Sequence, residues 1–171
     1  GPNNERFADL NADDRAKMYD LGTEAGLVCP GGTTTLLFDL KEQQLLGHWL
    51  SLGGTGHNCS GGPTPWGSWI TCEEWVQRAD ATHARDHGWA FDVRATAKPE
   101  IMHAEPLTGL GRFRHEAVAI DPKSGIVYET EDREDGCFYR FVPEKPAALN
   151  AGGRLQALAI ADTPSMDTRN W

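Results

Sequence analysis

The sequence predicts an all-β fold of short antiparallel strands, and three observations carry that reading. β-branched and aromatic runs recur along the chain; 19 glycines and 10 prolines are spread between them as turn formers; and the second half reads strand, turn, strand, turn, strand. This order is how the blades of a β-propeller read in a single sequence, and a sandwich reads similarly.

Each element follows in order. Residues 1–25 are polar, with apolar islands at 7–10 and 18–21, and a helix capped around Asn11 to Asp14 is expected there. Residues 33–39 and 44–50, split by Lys41 and Glu42, read as two antiparallel strands. Residues 69–76 and 89–93 are further strands, separated by a polar stretch with His83, His87 and Gly88. The clearest hairpin joins 117–120 to 126–130 through the Pro- and Gly-bearing turn 121–125. A third strand at 137–142 and a run at 153–160 complete the pattern.

A length of 171 residues predicts one domain. The formal net charge of −9 repels a phosphate backbone on average, so nucleic-acid binding and docking on anionic membranes are disfavoured and divalent cations become natural partners. No run approaches the roughly 20 apolar residues that cross a bilayer. Residues 1–7 have no basic region followed by an apolar core, so no export signal is visible in them. Cys29, Cys59, Cys72 and Cys137 have no CxxC or zinc-finger spacing; two disulfides would suit an oxidising compartment. No protein partner is predicted.

The chemistry concentrates in three places. Residues 53–74 read as a glycine- and proline-rich loop that lets backbone approach a ligand, with Asn58 and Cys59 at one end and Glu73 and Glu74 at the other. A Cys59 thiolate suits iron or zinc, and an Asn58 amide oxygen suits calcium. Adjacent glutamates at a strand end point to opposite faces, so one can enter a site while the other faces solvent or a second ion. The same residues read equally as small buried cysteines and a solvated strand end. In the second place, Arg112-Phe113-Arg114-His115-Glu116, Glu116 is a metal-ligand candidate and Arg112 or Arg114 an anion-binding one, against the plainer reading of surface ion pairs. His115 and Glu116 lack the helical zinc-protease spacing. Third, residues 129–135 hold five carboxylates in seven positions without the register of an EF-hand, a calcium-binding turn or an acidic solvated loop. The other histidines have no ligand spacing. Nucleophile-elbow, Walker and dinucleotide-binding fingerprints are absent.

Taken together, Asn58-Cys59-Ser60-Gly61-Gly62, Thr64-Pro65-Trp66-Gly67-Ser68-Trp69, Thr71-Cys72-Glu73-Glu74, His115-Glu116-Ala117-Val118, Tyr128 and Glu131-Asp132 resemble the PhoX-type alkaline phosphatase family. The resemblance runs from about residue 26 to residue 143. It implies a six-bladed β-propeller whose central face holds iron and calcium and hydrolyses small phosphate monoesters, in the periplasm or after secretion. By position it implies Cys59 as an iron ligand, Glu74 and Glu116 as iron or calcium carboxylates, Asn58 near the phosphate, and Asp132 as a calcium ligand; Glu73, from its place beside Glu74, is also a metal-ligand candidate. Asn58, Glu74 and Glu116 are thereby the candidate catalytic residues.

At about 40 residues per blade the chain has half the expected length, so 1–171 is expected to be one propeller segment, incomplete at both ends. The family's C-terminal substrate-binding arginine and last metal-ligating glutamate have no counterpart before Trp171. A calcium-stabilised propeller acting as a binding or scaffold module, without turnover, is the alternative expectation.

Overall fold

The structure is a computed structural model, and it describes residues 10–24, 27–163 and 165–168. The apolar island expected at 7–10 therefore lies, save Leu10, outside the described residues. The helix α1 (Ala12–Lys17) begins where the sequence places a cap: the Asn11 side chain accepts the Asp14 backbone N–H, satisfying one of the orphan donors of the first turn. Nine strands follow: β1 (Gly31–Asp39), β2 (Gln44–Thr55), β3 (Asn58–Pro63), β4 (Ser68–Glu73), β5 (Ala90–Arg94), β6 (His115–Ile120), β7 (Val127–Glu131), β8 (Phe138–Pro143) and β9 (Gly153–Ala157).

All pairings are antiparallel and group the strands into sheets β1-β2, β3-β4-β5 and β6-β7-β8-β9. The all-β expectation holds. Among the described residues these sheets do not close into a ring. Every strand joins its sequence neighbour within a sheet, so the connections are local hairpins. The β6-β7 turn is set by Asp121, whose carboxylate accepts the backbone N–H groups of Lys123 and Ser124, with Gly125 at φ 72°.

The glycine-rich segment is a correction. Instead of one long loop, it forms the end of β2, all of β3 and the short turn into β4. Gly62 explains why glycine stands in a strand here: a Cβ at this position would collide with the Val118 carbonyl oxygen of β6. Its absence lets the second and third sheets come together. β4 also stops at Glu73 rather than continuing to Val76, and β9 stops at Ala157.

The core forms across these junctions. Ile70 and Cys72 of β4 and Ala90 of β5 pack with Val118, Val127 and Phe141 of the third sheet, sealed by Leu107, Leu110 and Leu149. A second cluster, Tyr19, Leu52, Phe91, Val93 and Ala104, ties the second sheet to β2 and to the segment after α1.

Candidate metal centre at a sheet junction

Strand register explains why distant residues meet. Asn58 pairs with Glu73 across β3 and β4, so their sequence neighbours Cys59, the second residue of β3, and Glu74, just past β4, lie near the same end of the second sheet. His115 pairs with Glu131 across β6 and β7, which places Glu116 and Asp132 together at one end of the third. The Asp132 backbone N–H donates to the Arg114 carbonyl at 3.0 Å and holds that end closed. Because β3 packs on β6, the two ends adjoin.

The Cys59 Sγ lies 3.4 Å from both carboxylate oxygens of Glu116. One ligand atom from each of Cys59, Glu74 and Glu116 falls within 4.8 Å of the others. Cys59 is exposed and the two glutamates are half-buried. Desolvation, then the hydrogen bonds and negative charge of Glu74 and Glu116, push the Cys59 thiol up to about 12. Glu74 is raised above the ordinary glutamate value, first by its hydrogen bond to Asp132, with the Cys59 contact acting against it. Beyond the desolvation of Cys59, the two shifts share a cause: acidic groups crowd together and hold protons to limit their repulsion. A cation among them removes that repulsion. The donor set, one soft thiolate with hard carboxylates, fits iron, and the carboxylates alone fit calcium.

The other predicted residues are placed differently. Glu73 points to the opposite face, as alternation requires, and is fully buried. Its oxygens accept the backbone N–H groups of Gly56, Gly88 and Trp89 and meet His87 Nδ1 at 2.7 Å. It is not among the carboxylates that converge with Cys59. The Asn58 amide is held between Thr55 Oγ1 and Thr71 Oγ1 at 2.5 and 3.1 Å. Arg112 is committed to the His87 and Gln77 carbonyls, at 2.9 Å each, which corrects its reading as an anion-binding group. All four cysteines are free, so no disulfide framework forms. Glu131 accepts from the Cys137 backbone N–H and the Tyr139 hydroxyl, Arg133 pairs with Asp135, and Asp132 is the carboxylate of the acidic turn that reaches Glu74.

Antiparallel sheets that gather a thiol and carboxylates where two of them abut define an all-β protein with a candidate metal centre. The family model described as alkaline phosphatase PhoX matches residues 3–171, and the chain belongs to that family. Among solved structures it is similar to Pseudomonas fluorescens PhoX in complex with vanadate, a transition state analogue, at 22% identity and a TM-score of 0.43. That match covers 61% of this chain and 27% of the other. No curated protein sequence matches the chain. Among the described residues no helix is long and apolar enough to cross a membrane.

Proposed function

We propose that the chain is a segment of a metal-dependent phosphate-monoester hydrolase, a single piece of a six-bladed propeller exported to the periplasm or beyond. The observation that carries this is the convergence of Cys59, Glu74 and Glu116 within 4.8 Å in a chain of the PhoX family. Cys59 would hold iron; Glu74 and Glu116 would hold iron or calcium, and Asp132 calcium. Bound cations supply charge neutralisation of phosphoryl oxygens and activation of a water, for one of the slowest uncatalysed reactions known.

The chain's own residues prepare the site. Glu116 accepts from the Cys59 thiol and so aims the sulfur into the cluster. Glu74 and Asp132 are joined by a hydrogen bond, which holds the two carboxyl groups side by side for cations. Thr55 and Thr71 fix the Asn58 amide, leaving its second N–H as a donor for a phosphate oxygen beside the cluster. A scaffold binding calcium alone would have no use for the thiol, which prefers softer metals.

The test is element-resolved metal analysis beside a phosphomonoester assay, on the parent chain and on Cys59→Ala. The variant is expected to lose iron and hydrolysis together, by at least about tenfold, the scale on which metal-site changes act. Iron content unchanged in Cys59→Ala would refute the assignment.

A further inference from the structure

A second group of metal-capable side chains lies between the segment after α1 and the strandless stretch after β4. Asp20, Cys29 and His87 are 0%, 4% and 0% exposed. His87 Nε2 is 3.1 Å from Asp20 Oδ2 and 3.6 Å from Cys29 Sγ, and a ligand atom from each lies within 4.8 Å of the others. Ligands held at zinc-like bond lengths around a tetrahedron are separated by roughly 3.2–3.7 Å. The separations of 3.1 and 3.6 Å lie at or near that range.

Two features point to a cation at their common point. In the cation-free protein a single Nε2–H serves Asp20 Oδ2 as a buried ion pair, which leaves the Cys29 sulfur, 3.6 Å from the same nitrogen, with no ring hydrogen of its own, whereas a cation at the common point engages all three atoms. The other nitrogen, Nδ1, is 2.7 Å from Glu73 Oε1, and Glu73 is itself fixed by backbone N–H groups of Gly56, Gly88 and Trp89. A carboxylate behind a histidine is the arrangement that sets the tautomer and turns the opposite nitrogen's lone pair toward a metal. Asp20 is oriented in the same manner, by the backbone N–H groups of Gly22, Ala84 and Arg85.

We propose that Asp20, Cys29 and His87 supply three ligands of a buried structural site for one zinc-like divalent cation, with Glu73 as the positioning residue behind His87. Sulfur, imidazole and carboxylate together are the ligand set of a borderline-soft cation, not of calcium. On binding, the Cys29 S–H bond breaks, its proton leaves to solvent and the sulfur's electron pair forms the metal bond; His87 ligates through a proton-free Nε2. Asp20 and His87 are 67 positions apart, so the cation clips the N-terminal segment to a stretch that has no strand pairing of its own. The site is separate from the Cys59 cluster and stands whether or not that cluster is catalytic.

Cobalt(II), refolded with the protein at one equivalent, is the probe, because thiolate ligation gives a charge-transfer band. Cys59→Ala removes the thiol of the other cluster. That variant is expected to take up one cobalt with a thiolate band and to melt several degrees higher with zinc than without. Adding Cys29→Ser should abolish the band and the zinc-dependent shift, while circular dichroism shows the β fold retained. A folded Cys59→Ala protein without the band overturns the proposal, as does a band that persists in the Cys29→Ser double variant. If the double variant fails to fold, loss of the Cys59→Ala band in a folded Asp20→Asn or His87→Gln protein decides it: an unchanged band in both overturns the site.

Discussion

Glu73 and Glu129 are both fully buried, yet their surroundings differ. Glu73 accepts from three backbone N–H groups and His87, so its charge is compensated by donors. Glu129 has neither oxygen in a hydrogen bond among the described residues; His115 stands 3.3 Å from Oε2 without hydrogen-bonding geometry. Burial accordingly raises Glu129 above the ordinary glutamate value, with His115 pulling the other way. A carboxyl whose folded value is raised favours the fold while it is protonated, below its unfolded value of about 4.5. That contribution is lost as pH rises through the folded value. Glu129→Gln cannot ionise, so its melting temperature should gain on the parent's as pH rises from 5 to 9. A difference that stays flat over that range would mean Glu129 keeps its charge without cost.

At the scale of the element, the approach of β3 to β6 depends on Gly62. A methyl group there would meet the Val118 carbonyl oxygen, and backbone cannot swing aside as a side chain can. Gly62→Ala is expected to destabilise the chain by about 1–3 kcal/mol, the range for overpacked interiors. It should also spread Cys59 from Glu116, since those residues ride on the same two strands. Denaturant melts give the first effect, and thiol alkylation of Cys59, faster once Glu116 withdraws, gives the second. An unchanged alkylation rate would separate the sheet contact from the cluster. The same glycines explain what the sequence concealed. Low β propensity made residues 53–63 look like a loop, whereas the structure uses glycine to let two sheets touch. Strand alternation correctly set Glu73 and Glu74 on opposite faces, and family resemblance named Cys59, Glu74 and Glu116, which do converge. The Asp20, Cys29 and His87 group was illegible because its members come from three separated segments with no fixed spacing, and only tertiary packing brings them together.

For the whole molecule, an acidic chain with net charge −9 concentrates part of that charge where the second and third sheets meet. Without cations, Glu74, Glu116 and Asp132 repel one another at this junction, opposing the packing of Ile70 and Cys72 against Val118 and Phe141. Were cations bound there as proposed, the same residues would cross-link the sheets, and binding to the folded state alone would stabilise it by mass action. The gain should be local rather than uniform. Removing metal with a chelator is expected to raise amide hydrogen exchange in β3 and β6, whose contact closes the cluster. Exchange in β8 and β9 should stay as it was, because those strands are joined by their own ladder on the far side of the third sheet. Mass spectrometry of exchanged peptides, with and without chelator, measures the contrast. Equal acceleration in all four strands would show that metal governs the global stability of the chain and not the junction, and no change in β3 and β6 would show that the carboxylates carry no cation there.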